Sequence, residues 1–159
     1  MYYTIIDNSI LTADTEDALT RFYENVLPLP ADYEEGKYIV VDGELVLNPD
    51  WEDEQAAKRE ADFKSKFFYI EGFGWFRKVP KGYASAVECL NLAFNNVSML
   101  GKLPAETLIF YQEPDFTKPE ECTEEWLIEH QTKNAEMTVQ EFGQFYAGFS
   151  VAWNNTEHN

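Results

Sequence analysis

The chain has 159 residues, 45% of them hydrophobic, with 4 Trp, 9 Tyr and 12 Phe; this suits one domain or two very small ones and excludes a disordered chain. Its net charge is −17, from 29 Asp and Glu against 12 Lys and Arg. A surface so acidic repels phosphate backbones and anionic lipid, so neither direct nucleic-acid binding nor membrane binding is expected.

Residues 2–6 (YYTII) and 10–13 (ILTA) read as two short strands across the turn Asp7-Asn8-Ser9. Asp14 or Thr15 then caps a helix in which Ala18, Leu19, Phe22 and Val26 recur at helical spacing and face the sheet; Pro28 and Pro30 end it. YIVV (38–41) and ELVL (44–47) form a hairpin on Asp42-Gly43, where glycine accepts a positive φ. Residues 1–49 therefore predict a small N-terminal ββαββ unit. That is below the size at which a lone core is comfortable, so the unit is expected to lean on a neighbour or a partner.

Asn48-Pro49-Asp50 stops the second hairpin strand and starts a helix over 50–66, with Asn48 or Asp50 as its cap. Acids lead and bases follow, which suits the helix dipole, and Glu54 with Lys58 and Glu60 with Lys64 are spaced i,i+4, worth ~0.3 kcal/mol each. Trp51, Ala56, Ala57, Ala61 and Phe63 are too few for a deeply packed face, so this segment reads as a polar connector helix that bridges units or stands in solvent.

Residues 67–155 read as a C-terminal unit of short strands with two or three helices, which makes the whole chain α+β. FFYIEGFGWFRKV (67–79) is one or two strands with Gly72 and Gly74 at a bulge or turn, and Pro80-Lys81-Gly82 breaks it. Tyr83, Val87, Leu90, Phe94 and Val97 form a helical stripe closed by Gly101. Thr107 to Tyr111 is a strand, EPDFTKPEE an ordered loop, and Thr123 caps a short helix carrying Trp126 and Leu127. Thr138-Val139-Gln140-Glu141 fits a capping box, followed by a core stripe of Val139, Phe142, Tyr146, Phe149 and Trp153. Residues 156–159 are expected to fray.

No spacing announces a reaction. Cys89 and Cys122 make neither a metal framework nor a disulfide scaffold and read as buried or idle thiols. His130 and His158 lack partners at ligand spacing, so no metal and no cofactor is expected. No apolar run approaches the ~20 residues of a membrane span, and no charged-then-apolar segment marks a signal peptide. The site-like cluster is GFGWFRK (72–78), where Phe73, Trp75, Phe76 and Arg77 could anchor a partner or stack a sugar; the same run also reads as a core strand with a basic end. The charge is uneven: residues 1–50 carry −9, 51–112 carry none and 113–159 carry −8. The densest row, Glu113 to Glu129, holds seven acids against Lys118, which raises the alternative of an inhibitor that mimics nucleic acid.

The opening MYYTII, the hairpin YIVVDGELVLNP and the charged helix WEDEQAAKREADF resemble the N-terminal parts of small proteins encoded among phage and prophage tail genes, including tail-fibre assembly proteins. FFYIEGFGWFRK and FYQEPDFTKPEECTEEWL resemble the second halves of tail-region proteins in prophages of Gram-positive bacteria. The chain departs from tail-fibre proteins proper in lacking glycine-rich repeats and a long coiled coil, which favours an accessory or assembly part. The resemblance implies a non-enzymatic role through protein–protein contacts, with tail components or further copies of the chain as partners. It implies a place in the host cytoplasm during assembly or in the virion, and it carries over no catalytic residue. A carbohydrate-binding module is the third reading.

Overall fold

The computed structural model describes residues 1–104, 107–134 and 136–157, apart from the side chains at 86, 87, 134, 153, 156 and 157. The fold is α+β, and the chain divides into two compact units, Met1–Glu54 and Gln55–Asn159.

In the first unit, β1 (Tyr2–Ile6) and β2 (Ser9–Ala13) pair antiparallel around a two-residue turn. Asp7 and Asn8 both take positive φ, 47° and 64°, which matches the twist of the flanking strands. The predicted helix to residue 26 is shorter: α1 spans Glu16–Thr20 and buries Leu19 alone, while Phe22 is 77% exposed. The chain beyond it serves another purpose. β3 (Leu27–Pro28) pairs with Tyr2 and Tyr3, a place at the sheet edge where proline's missing N–H costs no ladder bond. The unit is thus ββαβββ, not ββαββ. β4 (Tyr38–Val41) and β5 (Glu44–Leu47) form the expected hairpin, with Asp42 and Gly43 at φ 52° and 82°. The Asn48 side chain accepts from the Asp50 N–H at 3.1 Å and donates to the Gly36 carbonyl at 3.0 Å, closing the hairpin and opening the next helix.

That helix, α2 (Trp51–Lys66), begins in the first unit and ends in the second. Its Lys64–Glu60 and Lys66–Asp62 ion pairs form as i,i+4 contacts. It does not stand in solvent throughout. Phe63 is buried, stacked on Phe67 with ring centroids 4.5 Å apart. One large ring supplies the anchoring that the sparse apolar stripe did not suggest.

The second unit is a four-stranded antiparallel sheet in the order β6 (Phe67–Ile70), β7 (Gly74–Arg77), β8 (Ile109–Tyr111), β9 (Gln131–Asn134). Between them run α3 (Ala86–Leu100), α4 (Glu124–Glu129) and, after β9, α5 (Val139–Glu157). Strand alternation sends Phe68, Ile70, Phe76 and Phe110 to one face, against Cys89, Leu90, Ala93 and Val97 of α3 and Phe142, Phe145 and Phe149 of α5. Phe67 and Tyr111 face the other way, against Phe63, Leu127, Phe116 and Trp126. Cover on both faces accounts for Phe67, Phe68 and Ile70 of the apolar run at 67–70, while Tyr69 is exposed.

Both predicted helical stripes need correction. On α3 Leu90 and Val97 of the stripe are buried, joined by the small Cys89 and Ala93, while Phe94 turns outward; Val87 lies outside the described side chains. On α5 Phe142 and Phe149 of the stripe are in the core, joined by Phe145, while Val139 and Tyr146 are exposed; Trp153 lies outside the described side chains. Helix α5 runs through Glu157, into the stretch expected to fray; His158 and Asn159 lie outside the described residues.

The capping box at the start of α5 is formed. The Thr138 N–H donates to the Glu141 carboxylate at 2.8 Å, and the Glu141 N–H donates to the Thr138 hydroxyl at 3.3 Å. Thr138→Ala is therefore expected to cost about 1 kcal/mol in urea denaturation. The bonds from the Thr138 backbone and side chain hold the Glu141 carboxyl below its ordinary value of 4.5. A carboxyl lowered on folding stabilises fully above that ordinary value, and the contribution is lost as pH falls through the lowered one. Glu141→Gln should accordingly flatten the acid limb of Tm against pH below about pH 4.5, while leaving the shape above it unchanged.

Candidate functional site

The four residues singled out from the sequence do not share one surface. Phe76 is 1% exposed and sits among Phe68, Phe110 and Phe149, with ring centroids 5.6, 5.8 and 5.0 Å away. It is a core ring, and no partner reaches it without unfolding the unit. Phe73, in the three-residue turn between β6 and β7, is half-buried against Phe110 and Phe145, with the Lys133 ammonium 5.1 Å from its ring centre. Trp75 and Arg77 lie on the opposite sheet face from Phe76, as the period of two requires. Trp75 is half-buried against Phe63 and Tyr69, and Tyr69, on the outer strand, is exposed.

Arg77 is held by three groups. Its guanidinium lies 5.0 Å from the Phe67 ring centre and 5.8 Å from that of Tyr111, and Nη2 is 3.7 Å from the Glu124 carboxylate. Two open hollows meet at this pair. One, of about 330 Å³, is lined by Tyr83, Ile109, Tyr111 and Ile128; the other, of about 130 Å³, by Arg59, Phe63, Cys122 and Leu127. Arg59 is occupied there, donating to the Phe116 carbonyl at 2.8 Å. Both arginines therefore brace the loop and helix that cover this face.

A different surface has the character of a docking site. Between α3 and α5 lies a hollow of about 180 Å³ walled by Phe94, Val97, Val139, Phe142 and Tyr146, with Gly143 at its edge. Phe94, Val139 and Tyr146 are all exposed, and a side chain added at Gly143 would meet open space. These are the residues that the predicted stripes assigned to the core. The signal that could have separated them is the second helical register, in which Cys89, Ala93 and Phe145 already supply an inward face.

Several other titratable groups are structurally engaged. Burial pushes the Cys89 thiol up to about 11, so the thiolate is scarce at neutral pH. The His130 ring lies flat on Trp126, 4.3 Å between centres, with Nδ1 2.8 Å from the Trp126 carbonyl. In the acidic row, Lys118 bridges Asp115 and Glu121, Glu121 also accepts from the Asp115 N–H, and Glu124 faces Arg77. Among the described residues no three His, Cys, Asp or Glu gather as for a metal ion, and no helix is long and apolar enough to cross a membrane. Comparison of the chain with protein-family models, with characterised proteins and with solved structures finds no match.

Proposed function

We propose that this chain is a non-enzymatic phage or prophage tail-associated or tail-assembly protein that works through protein–protein contact. The supporting observation is the apolar hollow between α3 and α5, with Phe94, Val139 and Tyr146 at its rim. Exposed aromatic rings around an apolar floor are what a partner's buried anchor requires, since such anchors carry most of the energy of an interface. The contact surface proposed on this basis lies on the two helices, with Arg77 beside separate hollows on the opposite sheet face. The sugar-stacking reading has less to draw on, since Phe76 is in the core and Phe73 is half-covered.

The test uses the full chain and the products of the genes adjoining its own, each expressed singly. At least one is expected to bind, and Gly143→Leu, which fills the hollow without removing a core contact, should weaken that binding about tenfold or more. Leucine also improves on glycine inside a helix, so loss of fold does not confound the result. A wild-type protein that binds none of these products, or a Gly143→Leu variant that binds as tightly as wild type, overturns the reading.

A further inference from the structure

The connection from β7 to α3 builds one wall of the hollow of about 330 Å³. Arg77 ends β7 opposite Phe67 of β6. Pro80, Lys81, Gly82 and Tyr83 follow as a tight turn. The Tyr83 N–H donates to the Pro80 carbonyl at 3.1 Å, and Gly82, in the third position, takes a positive φ of 94°. The turn sets Tyr83 against the hollow, half-buried, and leaves Lys81 exposed at its rim. Ile109 of β8 and Ile128 of α4 supply apolar surface across from it.

Arg77 is held at this wall with its hydrogen-bonding capacity unused. A guanidinium carries five N–H donors in one plane. Its carbon lies over the Phe67 ring at 5.0 Å and near that of Tyr111 at 5.8 Å, contacts that orient the group and engage none of those donors. The Glu124 carboxylate, 3.7 Å from Nη2, is an ion-pair partner beyond hydrogen-bond reach. Among the described residues Arg77 donates no hydrogen bond, although only 25% of its side chain is exposed. Lys81 is in no ion pair among the described residues. A guanidinium so placed favours a carboxylate lying in its plane, which accepts two parallel N–H bonds at once.

We propose that this hollow is a binding site for a small monocarboxylic acid with an apolar body. Arg77 takes the carboxylate as a bidentate pair, Tyr83, Ile109 and Ile128 cover the body, and Lys81 adds positive charge at the rim. A volume of about 330 Å³ is at the lower end of the range of about 300–1,000 Å³ for small-molecule sites, so it holds one small body. Charge favours a monoanion: the lining sets two cations, Arg77 and Lys81, against one carboxylate, Glu124. Glu124 is the resident competitor for the guanidinium. Its side chain, 54% exposed at the start of α4, turns into solvent as the ligand's carboxylate arrives. The inference does not rest on the tail-assembly reading, because the α3–α5 hollow lies against the other face of the sheet.

The test uses the full chain, isotopically labelled, and three probes: phenylacetate, phenylacetamide and acetate. In a nuclear magnetic resonance titration, phenylacetate is expected to shift the Arg77 side-chain N–H and the Ile109 and Ile128 methyl signals saturably. It should bind about tenfold tighter or better than the amide, which lacks the charge, and than acetate, which lacks the apolar body. Glu124→Gln removes the competing charge at constant shape and should tighten phenylacetate about threefold or more. Arg77→Lys keeps the charge but loses the planar fork and should weaken it about tenfold, with Tm recorded on the same sample. If that variant fails to fold, Glu124→Gln still decides. The proposal is overturned if phenylacetate does not bind, if the amide or acetate binds as tightly, or if the shifts fall outside this hollow. It is also overturned if Glu124→Gln leaves the affinity unchanged.

Discussion

Phe76→Ala should cost the second unit about 3–5 kcal/mol and lower its Tm by more than any single change at Trp75 or Arg77. Phe76 sits at the middle of the sheet, opposite Phe68 on β6 and Phe110 on β8, and points at Phe149 of α5. Its neighbours are rings on three different elements, so the space left by truncation cannot close by the movement of one side chain. Edge-to-face contact with Phe68 and Phe149, at 71° and 84°, adds to the burial. The measurement is urea denaturation of the full chain, followed by far-UV circular dichroism. If Phe76 were instead a surface anchor for a partner, its truncation would leave stability within about 0.5 kcal/mol and remove binding alone. A loss of partner capture by Phe76→Ala must therefore be read against the unfolding curve of the same sample.

The α+β class, the two hairpins, and the starts of α2 and α5 were legible because each carries a local signal: Asp42-Gly43, Asn48-Pro49-Asp50, and the Thr138–Glu141 box. What was not legible has physical reasons. β9, with sequence QTKN, is an outer strand without an apolar alternation, and only its pairing with β8 defines it. β3 is two residues long and includes Pro28, which reads as a breaker rather than as a partner for Tyr2. The helical stripes hold in part: Leu90, Val97, Phe142 and Phe149 are buried. Large rings attract a periodic reading, but α3 meets the sheet through Cys89 and Ala93 as well as the predicted Leu90 and Val97, and Phe94 is left outside. The aromatic cluster at 73–76 failed as a single surface because a strand's period of two separates Trp75 from Phe76 whatever their chemistry. The alternative reading of the same run, a core strand with a basic end, describes Phe76 and Arg77 as they stand: one inside, the other at the rim over Phe67 and Tyr111.

Phe63→Ala should release the C-terminal half of α2, at a cost of about 3 kcal/mol or more. The helix is otherwise largely polar, and each of its i,i+4 pairs contributes a few tenths of a kcal/mol. Phe63 alone on this helix is buried, with Phe67, Trp75 and Phe116 at centroid distances of 4.5, 5.2 and 5.6 Å. The Arg59 bond to the Phe116 carbonyl depends on the same docking, since Phe116 is a wall of the pocket that Phe63 fills. Three readouts should move together: helical circular dichroism falls, amides over 59–66 exchange faster, and Trp75 emission shifts to the red as its ring is wetted. Glu60→Ala, on the exposed side of the same helix, should change stability by no more than about 0.5 kcal/mol and leave Trp75 emission unchanged. A connector that stood free in solvent would treat the two substitutions alike. The contrast between them therefore measures how far the second half of α2 belongs to the core of the second unit, which its composition alone does not reveal.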